Sequence, residues 1–339
     1  MAKATSKPGV GLDIGTMNIV AARHSDAGKV STKRIRDAFL DVEKDAERSL
    51  KLSKADYIEF GENFLIVGDS ALTMANLFKR EARRPLSRGV IAAGELDAQA
   101  VLKRLLFGAL SDGGNITEGD GEHCYYSVPA APIDDPDQDV VYHTEIFRKI
   151  LSELGYTPHP MNESMAIIYS QCVAENFSGL AVSFGAGMCN IALAIQGIKG
   201  LEFSVARGGD WVDSHAAKAT GRTASQMCAI KEKGVDLTKP QGREQEALVL
   251  YIRALIRYCL ENITAQFKKV QNAVTLPGPI PFVVSGGTSL ANGFLEVFMD
   301  EFDTVKKRGF PIEISEVRAA RDPMTAVAEG MLVLAEQEY

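Results

Sequence analysis

Two short stretches, about half the chain apart, combine a glycine turn with polar side chains in a way that suits an anion. The first reads Gly11-Leu12-Asp13-Ile14-Gly15-Thr16-Met17-Asn18-Ile19-Val20-Ala21, the second Ala181-Val182-Ser183-Phe184-Gly185-Ala186-Gly187-Met188-Cys189-Asn190-Ile191. Each enters on an apolar strand, passes a polar residue, turns on glycine and leaves through Met-(x)-Asn-Ile into a second apolar strand. Glycine in such a turn lets backbone N–H groups approach an anion with no Cβ in the way. One such hairpin is ordinary sheet architecture. Two of them in similar halves suggest two lobes closing on one polyanion. Asp13 ends its strand where it suits a magnesium ion held through water beside phosphates, because magnesium keeps most of its waters and takes few direct carboxylates. Its plainer role is to satisfy turn N–H groups. Thr16 and Asn18 would offer hydroxyl, amide and backbone donors to terminal phosphates.

Three further groups have chemical potential. In Phe282-Val283-Val284-Ser285-Gly286-Gly287-Thr288-Ser289-Leu290, a strand meets a helix through two glycines. Either the joint is simply tight, or Gly286 and Gly287 let a nucleotide lie against the backbone near a helix N-terminus. Glu163 sits near a helix start, where the helix dipole favours a carboxylate anyway; aimed into a cleft, it would orient water or act as a base. The acidic run Asp134, Asp135, Asp137 and Asp139 reads as the cap and first turn of the helix that follows it. The basic run Lys79, Arg80, Arg83, Arg84 and Arg88 reads as a solvated face.

The elements that must position these residues alternate between strand and helix in both halves, which implies an α/β protein with two related lobes. Residues 9–32 read as two strands with a turn at Asp26-Ala27-Gly28. A hairpin joins Tyr57–Phe60 to Phe64–Val67. Ser70–Arg84 reads as a helix stopped by Pro85, and Asp97–Leu110 as a second, followed by a loop through Asn115. Glu122–Val128 is an expected strand, Gln138–Leu154 and Glu163–Val173 are expected helices, and Leu201–Ala206 is a strand. Helices then run to 269 around a polar loop at Gly234–Glu244. Pro281–Ser285 is a buried strand, and a helix follows from about Ser289 to Phe302.

The 339 residues, 46% of them hydrophobic, are enough for two domains with separate cores. A net charge of −7 argues against direct nucleic-acid binding. Five scattered cysteines without a C-x-x-C pair suit reduced thiols. Met1 to Pro8 lacks the apolar core of a signal peptide, and no apolar run reaches membrane-spanning length. These features predict a soluble cytoplasmic protein with no membrane insertion.

In their order along the chain, these motifs resemble the actin-like ATPase superfamily, and within it the bacterial actins of the MreB and MamK type. The resemblance covers nearly the whole sequence. Gly11 to Asn18, with Gly15, Thr16, Met17 and Asn18 at the turn, resembles the family's first phosphate motif. Arg84-Pro85-Leu86-Ser87-Arg88-Gly89-Val90-Ile91 resembles the segment returning from the small outer subdomain. Asn162-Glu163-Ser164-Met165-Ala166 is similar to the connecting helix that carries the catalytic acid or amide. Gly208-Gly209-Asp210-Trp211-Val212-Asp213 resembles the motif near the nucleotide sugar, placing Gly209 and Asp210 there. Cys228-Ala229-Ile230-Lys231-Glu232 is similar to the adenine-side helix, and Gly286, Gly287 and Thr288 fall in the adenosine motif. Asp322-Pro323-Met324-Thr325-Ala326-Val327-Ala328-Glu329-Gly330 resembles the start of the closing helix.

The resemblance implies two RNase H-like lobes, each with a smaller outer subdomain, and ATP or ADP with Mg2+ in the cleft between them. Lobe I would comprise 9–32, 89–165 and 320–339, with 33–88 outer; lobe II would comprise 166–209 and 272–319, with 210–271 outer. Gly185, Ala186 and Gly187 would hold phosphate, Asp13 would serve the metal, and Glu163 would be catalytic. The second motif departs from the family pattern: Ser183 stands in place of an Asp, and Met188, Cys189 and Asn190 replace hydroxyl and acidic or His residues. Backbone donors survive that change better than hydrolysis does. The implied function is an ATP-binding protein that polymerises into cytoplasmic filaments with slow hydrolysis, its partners being further copies of itself and a cargo or adaptor. A non-polymerising nucleotide-binding module or pseudo-ATPase acting as an adaptor remains the second reading.

Overall fold

The computed structural model describes residues 9–25, 28–111 and 119–339. The expected turn residues Asp26 and Ala27 and the loop residues Asp112–Asn115 lie outside them. The chain forms two compact units, one of residues 1–128, 139–160 and 331–339, the other of 129–138 and 161–330.

The first unit is built on a five-stranded sheet. Its strands are β1 (Val10–Ile14), β2 (Asn18–His24), β3 (Val30–Arg36), β9 (His123–Val128) and β10 (Thr157–Asn162), in the order β10-β9-β1-β2-β3. β1 is antiparallel to β2 and parallel to β9. Central strands read as near-continuous apolar runs because both faces are covered; the edge strand β3, Val-Ser-Thr-Lys-Arg-Ile-Arg, is mostly exposed and basic, which discourages pairing with another chain. Helices α3 (Ala98–Leu110) and α4 (Val140–Glu153) supply Val101, Leu102, Leu105, Leu106, Phe147 and Leu151 to its core. A separate three-stranded sheet joins β4 (Phe39–Glu43), β6 (Asn63–Val67) and β5 (Tyr57–Phe60), in the order β4-β6-β5. With α1 (Glu47–Ser53) and α2 (Asp69–Phe78) it encloses its own small core around Leu40, Leu50, Ile66 and Met74. The short strands β7 (Leu86–Ser87) and β8 (Val90–Ile91) follow it.

The second unit repeats the first sheet. β11 (Gly179–Phe184), β12 (Cys189–Ile195), β13 (Ile198–Val205), β14 (Ile280–Ser285) and β15 (Ile314–Ala319) are ordered β13-β12-β11-β14-β15. β11 is antiparallel to β12 and parallel to β14, as β1 is to β2 and β9. Around the sheet lie α5 (Glu163–Gln171), α6 (Gly209–Thr220), α7 (Ala224–Glu232), α8 (Gly242–Val270) and α9 (Phe294–Lys306). In α8, Leu248, Ile252, Leu255, Ile256, Cys259, Leu260, Ile263 and Phe267 recur at the helical period and form one buried stripe. α10 (Ala326–Glu336) runs from the second unit into the first.

Three local expectations need correction. α2 ends at Phe78 rather than Arg84: Lys79 turns left-handed at φ 54, and the chain extends so that Arg83 and Phe39 exchange two backbone hydrogen bonds of 2.8 Å. The basic run is accordingly not a free solvated face. Arg80 bonds Asp41, while Arg83 lies 4.5 Å from the Phe39 ring centroid and near Asp97. After Ser285 comes only a 3-10 turn, Gly287–Leu290; α9 starts at Phe294 because Gly293, at φ 77, breaks the path where Asn292 accepts a bond from Leu237 N–H.

Candidate functional site

The strand pairings align the two glycine turns residue for residue. Asp13 pairs with Val20 and Ile14 with Ile19; Ser183 pairs with Asn190 and Phe184 with Cys189. Gly15 N–H donates to Asn18 O at 3.0 Å, and Gly185 N–H donates to Met188 O at 3.0 Å. Asn18 therefore corresponds to Met188 and Val20 to Asn190, so the Met-(x)-Asn-Ile likeness seen in the sequence does not join equivalent positions. Asn190 is a buried strand residue whose Oδ1 accepts the Ala130 N–H at 3.0 Å. A Cβ on either Gly15 or Gly185 would lie 2.9 Å from the carbonyl oxygen closing its own turn; both positions require glycine. Among the described residues, the amides of Thr16 and Met17, and of Ala186 and Gly187, donate to no backbone carbonyl. Each turn thus keeps a pair of adjacent donors, the arrangement that makes an anion-binding concavity.

In the first unit, Ser127 completes the arrangement around Asp13. Its hydroxyl accepts the Ile14 N–H at 2.7 Å and donates to Asp13 Oδ1 at 3.0 Å. Burial pushes the Asp13 carboxyl up to about 6, and the Ser127 hydrogen bond only partly offsets it. A carboxyl held this way gains a ready partner in a cation. Sequence reading missed Ser127; the signal was its place in β9, the parallel neighbour of β1. Thr16 Oγ1 accepts the Gly89 N–H at 3.2 Å, and Asn18 Oδ1 accepts from Arg36 Nη1 at 3.4 Å. Those two side-chain acceptors are in use, so Thr16 and Asn18 have less to offer a ligand than the sequence suggests. Among the described residues, no group of three or more His, Cys, Asp or Glu could hold a metal ion; a single Asp13 suits a hydrated ion such as magnesium, not a stripped one.

In the second unit, the expected residues converge on the turn. Gly209 N–H donates to Gly185 O at 2.9 Å, Asp210 N–H to Ala186 O at 2.8 Å, and Thr288 Oγ1 to Gly185 O at 3.3 Å. A Cβ on Gly208 would sit 2.5 Å from Ala186 O, and one on Gly286, at φ 90, 2.6 Å from the Phe184 backbone. Lys231 Nζ contacts both oxygens of buried Asp213 at 2.7 Å and donates to Gly209 O at 3.3 Å. Burial outweighs Lys231 and holds the Asp213 carboxyl above its usual range. Lys231 is therefore committed to Asp213, a partner the sequence did not suggest. Glu232 is exposed at the end of α7, and Gly287 is followed by a 3-10 turn, so no α-helix dipole points from that junction.

Ser183 is 3% exposed, and its N–H donates to Ser164 Oγ at 3.3 Å. Its register partner in β14 is Ser285, whose hydroxyl donates to Pro323 O at 3.3 Å. Where the first unit has an Asp and a Ser, the second has two serines and no charge. Glu163 is the first residue of α5, which Asn162 caps by accepting Ser164 and Met165 N–H groups. Of the acidic run, only Asp139 caps α4; Asp134 accepts from Ala206 N–H and Tyr258 Oη within the second unit.

Among the described residues no helix is long and apolar enough to cross a membrane. The cysteines are all free thiols; Cys228 is half-buried and the other four are buried. A family model described as Volactin matches residues 9–335. No curated protein matches the sequence significantly. Among solved structures, the MamK double helical filament is similar at 19% identity, covering 97% of this chain and 98% of that one, with a TM-score of 0.71. MreB5 of Spiroplasma citri bound to AMPPNP is similar at 15% identity, covering 98% and 97%, with a TM-score of 0.67. The ethanolamine utilization protein EutJ from Carboxydothermus hydrogenoformans follows at 15% identity, 98% and 91% coverage and a TM-score of 0.57. The fold is that of the actin-like ATPases.

Proposed function

The chain belongs to the Volactin family, and from that premise we propose that it is an actin-like protein that binds ATP or ADP with magnesium and polymerises into filaments. The observation that carries this reading is the pair of adjacent backbone donors kept in each of two equivalent glycine turns, with Asp13 beside the first. The Thr16 and Met17 amides, and those of Ala186 and Gly187, bind phosphate oxygens. Asp13 orders magnesium waters, with Ser127 holding the carboxylate in place. Magnesium, when bound, would neutralise phosphate charge. The tight joint of Gly208, Gly209, Gly286 and Thr288 packs against the second turn and holds it in place beside the nucleoside. Solved relatives carrying AMPPNP and a double helical filament support the nucleotide and the assembly respectively. The separate core of the three-stranded sheet supports treating 33–88 as an outer subdomain.

Glu163 orients the attacking water, a role in which positioning and electrostatics contribute more than proton transfer. With Ser183 in place of a carboxylate, turnover is slow. Calorimetry tests the site directly: Asp13→Ala is expected to keep its circular dichroism spectrum and lose most magnesium-dependent ATP affinity. Unchanged affinity would make the first hairpin purely structural. The second reading, a nucleotide-binding module that does not polymerise, is favoured by Ser183 and Met188. Pelleting at high protein concentration with and without ATP separates the two.

A further inference from the structure

Three of the chain's five histidines, His24, His123 and His159, gather around the end of α10, all within the first unit. His123 and Tyr125 lie two residues apart on β9 and so share a face of the sheet. His159 is on the neighbouring strand β10, and His24 ends β2. His123 Nδ1 lies 2.8 Å from His159 Nε2. The ring centroids are 5.0 Å apart with 16° between the planes, so the rings meet edge to edge in a nearly straight N–H···N hydrogen bond. Tyr125 lies almost parallel to the His159 ring at 4.8 Å, and the Tyr339 ring stands edge-on to His123 at 5.1 Å.

The same residues clasp the chain at and beyond the end of α10. The His123 N–H donates to Tyr339 Oη at 3.1 Å, Tyr125 Oη donates to Glu338 Oε1 at 2.5 Å, and His24 Nε2 contacts Glu336 Oε1 at 2.5 Å. The charged groups facing the imidazole pair are Glu338 and, from α4, Arg148, which also bonds Glu145 at 3.2 Å. Burial holds His159 below the ordinary imidazole range; Glu338 opposes that, while His123 and Arg148 add to it. The Tyr125 hydrogen bond keeps Glu338 below the usual carboxylate range, so it stays ionised where imidazoles titrate. Two imidazoles keep their hydrogen bond while one facing nitrogen donates and the other accepts, which allows at most one added proton. With two added, both nitrogens donate, the bond is lost and like charges meet.

We propose that the His123–His159 pair is a protonation switch for residues 337–339, which stay seated while the pair carries at most one added proton and lift off when acid charges both rings. His159 takes its proton less readily in the folded chain than free. The seated form is therefore favoured above about pH 6.5 and loses favour as pH falls. His24 works in the other direction: a proton there strengthens its contact with Glu336, so the end of α10 stays down while the residues beyond it lift. Opening uncovers the Tyr125, His159 and His123 rings, flat apolar surfaces with polar edges. The switch does not depend on the nucleotide reading.

Fluorine NMR of the full chain carrying fluorotyrosine, without nucleotide, tests the switch from about pH 7.5 down to about 4.5, the range in which imidazoles titrate. The Tyr339 and Tyr125 signals are assigned through Tyr339→Phe and Tyr125→Phe. In the wild type both are expected to move to the free-tyrosine position at the acid end, while circular dichroism shows the fold intact. His159→Phe keeps a ring and carries no charge, so its Tyr339 signal should hold its neutral-pH position throughout. His123→Asn should behave alike, and carries the test should His159→Phe not fold. His24→Gln should keep the transition. A wild-type Tyr339 signal that never moves, or moves only with global unfolding, overturns the proposal. So does an equal shift with the same midpoint in a folded His159→Phe or His123→Asn. Loss of the transition in His24→Gln would place the switch at His24 and overturn it as well.

Discussion

Asp13 and His143 each carry a burial cost, and their signs on the pH axis are opposite. The Asp13 carboxyl titrates near 6 in the folded chain and near 3.8 as a free side chain. The folded state therefore holds its proton longer. Its stability is highest below about pH 4 and is lost as pH rises from there through 6, by on the order of 3 kcal/mol. Asp13→Asn should accordingly be more stable than the wild type at pH 7 without magnesium, and equal to it near pH 4, in denaturant titrations. The same protonation should weaken magnesium-dependent ATP binding as pH falls from 7 to 5 in the wild type. His143 is fully buried, with hydrogen bonds to neither ring nitrogen, and burial lowers its pKa to about 3. Its folded pKa lies below the unfolded 6.5, so stability is full above pH 6.5 and is lost as pH falls toward 3. His143→Leu removes two unsatisfied nitrogens and should stabilise the chain by about 1–2 kcal/mol at pH 7. Its acid unfolding should also be shallower between pH 6.5 and 4, read by circular dichroism.

At the scale of elements, the two hairpins share one scaffold with different chemistry. Ser285 is placed in β14 as Ser127 is in β9, one strand over from Ser183 as Ser127 is from Asp13. Ser183→Asp would place a carboxylate beside Ser285, whose hydroxyl can turn from the Pro323 carbonyl to donate to it. Phosphate release should therefore rise in that variant, while Glu163→Ala should lower it by roughly 10²-fold with ATP affinity nearly unchanged, the usual loss of a positioning group. Equal rates in the wild type and Glu163→Ala would remove Glu163 from the mechanism. A second element-level constraint is the approach of α10 to α5. A Cβ on Gly330 would lie 1.8 Å from Ala166 O and 2.5 Å from its carbonyl carbon. Neither backbone yields cheaply, so Gly330→Ala should cost about 3 kcal/mol or more, measured by thermal or urea unfolding.

For the whole molecule, the question is assembly. A heterologous head-to-tail contact that does not close produces filaments rather than rings. With ATP and magnesium, the purified chain should scatter light increasingly with concentration and show filaments by electron microscopy. Glu163→Ala filaments should disassemble more slowly than the wild type's. A monodisperse monomer across salt and magnesium, at high concentration with ATP, would favour the adaptor reading.

Sequence alone determined the features carried by local chemistry: the glycine turns, the buried apolar strands, the helical stripe of α8, and the duplication that announces two related units. Backbone preference and hydrophobic period are properties of neighbours in the chain, and they survive any packing. Tertiary structure decided what depends on neighbours in space. Ser127 lies far from Asp13 in sequence and beside it across parallel strands, so no spacing rule could find it. The ladder, not the letters, set the register that matches Asn18 to Met188, because side chains one residue apart face opposite sides of a sheet. Lys231 and Asp213 fall in two separate motifs of the sequence, on α7 and α6, and only the packing of those helices makes them an ion pair. The helix end at Phe78 and the break at Gly293 came from long-range hydrogen bonds, Phe39 with Arg83 and Leu237 with Asn292, which outweigh helix propensity once both partners are in place.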